Sequence, residues 1–405
     1  MRERNQITSE SMVDLIFNLK WKSDDANHTD SYQASQVNMW RDFLPPALLD
    51  MLMNQEAGEQ LQVPIETREA VAAFSSRNLF DIKRTQFDCT LKPDSVAVPR
   101  LGRFYPKGML KGLNGIFSAN VQPFRCVGLD NGHMTVDLNH PLAGKELDLS
   151  VVVGKIEAKS IERGGTSVDW MENLTSGPGK QARWQTQPTD YFSSDAFERD
   201  DEQPDEQFYQ QPRYVHHIDG TAREVVKNTY GRLLTDGMQV LDLMSSWDSH
   251  IPTNRHLDQL VGLGLNKKEL ERNSQLNGFH VHDLNKDPTL PFEANAFDAV
   301  VNTVSIEYLI DPLPVFKEVS RILKPGGYFI VTFSNRWFPT KSIKIWQELH
   351  EYERMGLVLE YYLRTGDFKD LQTYSIRGLP RPHDDKYFPE MWYSDPVYAV
   401  WGRKR

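Results

Sequence analysis

Apolar positions change their spacing partway along the chain. In the first 160 or so residues they alternate with polar ones or run in short blocks between turn residues. MVDLIFNLKW (12–21), GEQLQVPI (58–65), FRCVGLD (124–130), MTVDLN (134–139) and ELDLSVVVGKIEA (146–158) are predicted as strands, with NGH (131–133) as a hairpin turn. PALLDMLMNQEAGEQ (46–60) predicts one helix, Pro46 near its start and Gly58 near its end. These elements describe an α+β region, a bent antiparallel sheet packed on one helix. After Pro212 strand and helix patterns alternate. Helices are predicted over 219–234 (N-capped by Asp219), 254–260, 267–276 and 312–323, and strands over 238–244, 261–265, 279–284, 295–305 and 328–334. KPGG (324–327) reads as a stop and a turn. This rhythm predicts a mostly parallel, doubly wound α/β sheet, whose ligands sit at the carboxyl ends of strands near the switch point.

The two patterns are separated by residues 163–211, which hold no sustained period and include ERGGTS, TSGPGK and the acidic run ERDDEQPDEQ (198–207). Trp170, Trp184, Tyr191, Phe192, Phe208 and Tyr209 are too many aromatics for a free linker, so this segment is expected to wrap over one domain or both. A chain of 405 residues suits two or three domains. No apolar run reaches the roughly 18 residues of a membrane span, and the charged start MRERNQITSESMVDLIF does not read as a signal peptide. The expectation is a cytoplasmic protein without a membrane partner. Cys89 and Cys126 are expected as free thiols rather than a disulfide scaffold. A net charge of −10, with no Lys/Arg-rich stripe, argues against a nucleic-acid partner.

Two stretches carry family resemblances. FLPPALLDMLMNQEAGEQLQVPI and MTVDLNHPLAGKELDLSVVVGKIEA resemble FKBP-type prolyl isomerases of the SlyD-like branch. Asn139, His140, Leu142, Ala143, Gly144 and Leu147 match that branch's NH-x-LAG-x-x-L pattern. The resemblance implies a shallow aromatic pocket that twists a prolyl peptide bond. Here Ala47 and Leu48 replace the usual glycine and pocket-floor aromatic; Phe74, Phe80, Phe104 and Tyr105 are candidates for the wall, and Asp30 and Tyr32 for an acidic edge. His140 reads as a residue that orders its loop. FDAVVNTVSIEYLIDPLPVFKEVSRILKPGGYFIVTFSNR is similar to the later half of class I S-adenosylmethionine-dependent methyltransferases of the small-molecule, type 11-like kind, and YAVWGRK to their last, antiparallel strand at the sheet edge. No G-x-G-x-x-G follows the first strand, as a dehydrogenase would need. The chain is thus divided into an FKBP/SlyD-like domain (1–162), a wrapping segment (163–211) and a Rossmann-like methyltransferase domain (212–405).

The methyltransferase resemblance implies S-adenosyl-L-methionine as cofactor and gives its residues their expected places. VLDLMSSWDSHIP (240–252) lacks the glycines of the family's first loop. Asp242, Met244, Ser245 and Ser246 are expected at the methionine portion, the serines as donors to its carboxylate. Gly264 stands where the family has a ribose-binding acid, so Asn266, beside Leu265, is expected to substitute for it. Asp283 and Leu284 are expected at the adenine, and Arg213 and Tyr214 on a lid from PRYVHHID (212–219). Methyl transfer from a sulfonium needs alignment, water exclusion and sometimes a base. His250 and His216 are candidate bases and Tyr308 a third catalytic candidate; Trp247, Glu307, Asn335 and Arg336 are candidate acceptor contacts. His280 and His282, with His216, His217 and His250, offer metal-ligand types, but no Cys and no H-E-x-x-H accompany them, so no metal is expected. The acceptor is expected to be a small molecule, with S-methylation of a small thiol favoured because thiols ionise near neutral pH. The alternatives are O- or N-methylation of a small aromatic, a protein acceptor, and an isomerase or chaperone with a degenerate methyltransferase domain. A homodimer or a protein client is expected through the FKBP-like half.

Overall fold

β1 (Ser11–Lys22) shows why its residues form a strand: Val13, Leu15, Phe17, Leu19 and Trp21 are buried on one face while the residues between them are not. It pairs antiparallel with β8 (Asp148–Ala158), which pairs antiparallel with β3 (Gln60–Val63). In the computed structural model, which describes residues 6–64, 70–90, 97–159, 165–193 and 195–405, the chain divides into two compact units. The first is Met1–Asp25 with Ala34–Ser193; the second is Ala26–Gln33 with Ser194–Arg405.

The first unit is α+β, with two antiparallel sheets where a single bent one was expected. Between β3 and β8 the chain builds a second sheet in the order β4 (Leu79–Lys83), β7 (His133–Asp137), β6 (Pro123–Leu129), β5 (Phe104–Pro106). It has its own core of Phe87, Tyr105, Phe124, Cys126 and Met134. The β6–β7 hairpin turns at Gly132 (φ +112°), where the Asp130 carboxylate accepts from the His133 N–H. The predicted helix is only Pro46–Leu52, burying Leu48 and Leu52. It stops early because Asn54 takes left-handed backbone (φ +65°) and its N–H bonds Ile7 O instead of continuing the helix. Ile65, the last residue of one predicted strand, lies outside the described residues. Residues 165–193 pack within this unit: Trp170 donates to Asp42 at 2.8 Å and Arg125 to the Ala182 carbonyl at 2.6 Å. Cys89 and Cys126 are free thiols, and burial pushes that of Cys126 up to about 12.

In the second unit β9 (Gln239–Leu243), β10 (Gln259–Gly264), β11 (Gly278–Val281), β12 (Phe297–Thr303) and β13 (Leu323–Phe333) form a parallel sheet. β14 (Phe368–Arg377) and β15 (Val397–Lys404) extend it in the order β11-β10-β9-β12-β13-β15-β14. β15 is antiparallel to both neighbours but is not the edge that was expected. Beyond β14, residues 27–32 of β2 (Asn27–Asn38) add a parallel strand. No apolar alternation announces this strand. It is held by polar pairs: His28 Nδ1 meets Thr373 Oγ1 at 2.7 Å, and Ser375 Oγ donates to Asp30 at 2.8 Å. Asp30 and Tyr32 therefore belong to the second unit and do not edge a pocket of the first.

The helix Gly220–Leu233 is N-capped by Asp219 as expected and buries Ala222, Val226 and Tyr230. No helix forms over 254–260, because the chain there is tied down by turns: the Gly237 N–H bonds His256 O and the His256 N–H bonds Asp236. The helix Pro312–Ile322 ends where predicted, and KPGG lies inside β13, opposite a register shift between Phe297 and Ala299 of β12, with Gly326 at φ +77°. The helix Glu351–Thr365, not predicted, is almost wholly buried. No helix among the described residues is long and apolar enough to cross a membrane. The strand order reverses between β10 and β12 on either side of β9, so a ligand crevice is expected outside the carboxyl ends of these strands.

Candidate active site

A cleft of roughly 1210 Å³, including its open mouth, lies at that switch point. The loop after β9 forms one wall and resolves the missing glycines. Met244 (φ +59°) and His250 (φ +55°) take left-handed backbone without being glycine, and Val304 (φ +47°), after β12, does so as a β-branched residue. Such conformations cost about 1–3 kcal/mol each and gather at functional sites. Gly264 has a steric reason of its own. A Cβ there would lie 2.2 Å from the Ser245 carbonyl, so no acid fits at that position while the loop is where it is.

The loop's polar side chains turn inward. Ser245 Oγ donates to Asp242 at 2.5 Å and Ser246 Oγ to Glu269 at 2.7 Å, so neither hydroxyl proton is free for a ligand carboxylate, contrary to expectation. Asp242 is 3% exposed; burial, opposed by Ser245 and Ser249, raises its carboxyl to about 7. Asn266 lines the cleft, but its amide is used as the cap of the helix Lys267–Arg272. It accepts from the Lys268 and Glu269 N–H groups and donates to Tyr209 O at 2.8 Å. The acid that reaches the cleft beside Asn266 is Glu269, in the first turn of that helix. Sequence reasoning missed it, although an N-capping Asn followed three residues on by Glu was a readable signal. Leu265, Asp283 and Leu284 line the cleft as expected, with Asp283 Oδ1 accepting from Asn285 N at 3.0 Å.

The lid segment supplies aromatic and basic groups. The Arg213 guanidinium sits 4.4 Å from the Phe208 ring centre and 5.0 Å from that of Phe338, the Arg213 backbone N–H donates to Glu269, and Arg213 lines the cleft with Tyr209 and Phe338. Tyr214 turns away, its ring under Arg272, which removes it from the cofactor set. Tyr308 lines the cleft; its phenol oxygen accepts from Phe338 N, and burial holds its pKa well above the ordinary value. His216 packs on Trp247, ring centres 4.4 Å apart, and faces His250 at 5.8 Å. Burial lowers both imidazoles, His250 to about 4, with Asp248 pulling the other way, so both are neutral at pH 7.

Three acceptor candidates are not in the cleft. Glu307 is 1% exposed, because the turn Ile306–Tyr308 aims Tyr308 at the cleft and Glu307 into the protein. Burial, relieved in part by its own N–H and by Arg354, raises its carboxyl to about 8. Arg336 is held by Asp395 at 2.9 Å and stacks on Tyr387, and neither it nor Asn335 lines the cleft. The histidine set also separates. His280 packs edge-on to Phe292, and His282 lines the cleft with its Nε2 bonded to Asp287 O.

A doubly wound sheet whose switch-point cleft is lined by Glu269, from the helix after β10, and Asp283, from the loop after β11, has the architecture of a Rossmann-like domain. Residues 249–331 match the family described as "Methyltransferase domain". A malonyl-[acyl-carrier protein] O-methyltransferase from Marinomonas sp. (strain MWYL1) is 23% identical over 141 residues, 33% of this chain and 47% of that protein. The chain thus spans about half the length of this curated relative. Solved structures of S-adenosylmethionine-dependent methyltransferases are also similar. The one from Aquifex aeolicus is 15% identical, covering 50% of this chain and 97% of its own, with a TM-score of 0.31. The one from Mesorhizobium loti is 15% identical, covering 44% and 96%, with a TM-score of 0.30.

Proposed function

We propose that the protein methylates a small acceptor in this cleft, using S-adenosylmethionine, and that the acceptor is a small thiol. The carrying observation is the pair of carboxylates, Glu269 and Asp283, at the switch point of the sheet. Asp283 would hold the adenine amino group, with Leu265, Leu284 and Leu309 around the ring. Glu269 would take the ribose hydroxyls, the role that the Gly264 position cannot fill. The backbone of 244–250, with Asp242 behind it, would hold the methionine end. When bound, the cofactor supplies a methyl group on a good leaving group. The protein's part is to align the acceptor and exclude water, which the Arg213–Phe208–Phe338 cluster does at the lid. A thiol suits the corner formed by Trp247 and two neutral imidazoles because it needs little help to ionise.

Calorimetric titration with S-adenosylmethionine tests the first half. Micromolar binding is expected, weakened about tenfold to a hundredfold in Asp283→Ala. No binding by the wild type would sink the reading. A screen of thiols, phenols and amines tests the second half. Turnover with phenols or amines and none with thiols would discard the thiol and favour O- or N-methylation, the reaction named for the Marinomonas relative being of the former kind.

For the first unit we infer an FKBP-like fold that holds a prolyl segment of a client. What supports it is a second cleft, roughly 800 Å³, lined by Phe74, Phe104, Arg125, Asn139, His140 and Trp184. The NHPLAG turn shapes it: Asn139 accepts from Ser75 N at 2.9 Å and donates back to Ser75 O, and His140 Nδ1 accepts from Leu142 N. Of the other wall candidates, Tyr105 and Phe80 belong to the core of the four-stranded sheet. An isomerisation assay on a proline peptide, compared with His140→Ala and Phe104→Ala, decides it; equal rates with and without the protein would refute activity.

A further inference from the structure

We infer that His216, Asp248 and His250 form a binding site for one divalent transition-metal ion, zinc being the best match, at the wall of the cleft. One nitrogen from each imidazole and one Asp248 oxygen all lie within 4.8 Å of one another. Asp248 Oδ2 is 3.3 Å from His250 Nδ1 and 3.7 Å from His216 Nδ1. Tetrahedral zinc with bonds of about 2.0–2.1 Å sets its ligand atoms roughly 3.3–3.4 Å apart, so the trio needs little movement to share an ion.

Three further observations favour an ion over a hydrogen-bonded triad. First, His250 Nδ1 is buried and makes no hydrogen bond, although the carboxylate oxygen is within reach; the two groups do not point at each other. Second, two of the three ligands are held in place by a neighbour. Asp248 Oδ1 accepts from the His250 N–H at 3.0 Å, which leaves Oδ2 facing both rings, and the His216 ring is fixed against Trp247. Third, His250 carries its side chain on left-handed backbone, the kind of strain that persists where a side chain has to be aimed. Two imidazoles and one carboxylate select zinc or a neighbouring first-row ion over magnesium or calcium. Three protein ligands at the wall of an open cleft leave a fourth position for an exogenous group, the pattern of a catalytic rather than a structural ion. If the thiol reading above holds, the acceptor sulfur takes that position, loses its proton to solvent on binding and is presented as a thiolate. The site itself stands without that reading.

The test uses the full chain, stripped with a chelator, desalted and titrated with Co²⁺ in the absence of S-adenosylmethionine. Expected are visible tetrahedral cobalt bands saturating at one ion per chain, displaced by Zn²⁺, and a rise in Tm with added Zn²⁺. His216→Ala, Asp248→Asn and His250→Ala should each weaken binding by about tenfold or more, while His280→Ala, which lies against Phe292, should not. Absence of cobalt bands in the folded wild type at excess Co²⁺ overturns the proposal, and so does a His216→Ala/Asp248→Asn/His250→Ala triple variant that binds as well as the wild type. Titration of the same metal-free protein with S-adenosylmethionine separates the two readings. Cofactor binding without cobalt bands sinks only the metal site, and cobalt bands without cofactor binding sink only the methyl-transfer reading.

Discussion

The two ends of the cleft are built in different ways. At the β11 end Asp283 and Leu284 project from ordinary backbone, and the Asp283 carboxylate is oriented by a single bond from Asn285 N. At the β9 end Met244 and His250 hold left-handed backbone, Asp242 is buried with a raised pKa, and the serine hydroxyls point away from the ligand space. Glycine would have given this loop its shape at no steric cost. Keeping the shape with side chains costs strain and brings in a methionine, a histidine and an aspartate that glycines cannot supply. Under the proposed function the β11 end would carry recognition alone, while the loop would combine recognition with chemistry.

The largest effect is expected where loop and strand meet. Gly264→Ala drives a Cβ into the Ser245 carbonyl and should destabilise the second unit by about 3 kcal/mol, read by urea unfolding; an unchanged midpoint would mean that the loop moves freely. Next comes the buried acid of the loop. The Asp242 carboxyl is raised from the ordinary value of 3.8 to about 7 in the folded protein, so the folded state binds the extra proton. Its contribution is fully present below pH 3.8 and is lost as pH rises through 7. Between pH 5 and pH 8 the wild type should lose on the order of 2–3 kcal/mol relative to Asp242→Asn, which has no such titration. Parallel stability curves for the two proteins would show that the carboxylate is ionised and satisfied throughout.

A smaller effect separates Glu269 from Asn266. Glu269→Gln should weaken S-adenosylmethionine binding about tenfold with little change in stability. Asn266→Ala should lower stability by about 1 kcal/mol through the lost cap and weaken binding less. The reverse order would return the ribose role to Asn266. The smallest effect is expected for Met244→Gly, which relieves left-handed strain and should stabilise the protein by about 0.5–1 kcal/mol. A loss of stability instead would show that Met244 packing outweighs its strain.

Much of the parallel sheet was legible because its strands are apolar runs between turn residues, and Asp219 and the Pro312 helix start carried local end signals that tertiary contacts did not override. Asp283 and Leu284 were legible for the same reason: they follow a strand, and the loops after strand ends face the switch point. The polar strand 27–32 was not, because His28 and Asp30 are buried against partners 345 residues away in the chain. Nor was the fate of Glu307, whose neighbour Tyr308 is the one aimed at the cleft.

The sequence by itself determined most strands of the parallel sheet and the starts of the helices at Gly220 and Pro312, where the loop after the first of those strands falls, and which chemical groups are available to it, since these depend on period, turn chemistry and composition within short windows. Only the tertiary structure decided which of those groups share a space. Asn266 and Glu269 both line the cleft but the Asn266 amide is spent on a helix cap, Ser245 and Ser246 bond inward, and His216, Asp248 and His250 converge from the lid and the loop. The physical reason is that side-chain direction depends on backbone dihedrals and on partners distant in sequence, and in this loop those dihedrals are ones that its residue types rarely adopt alone.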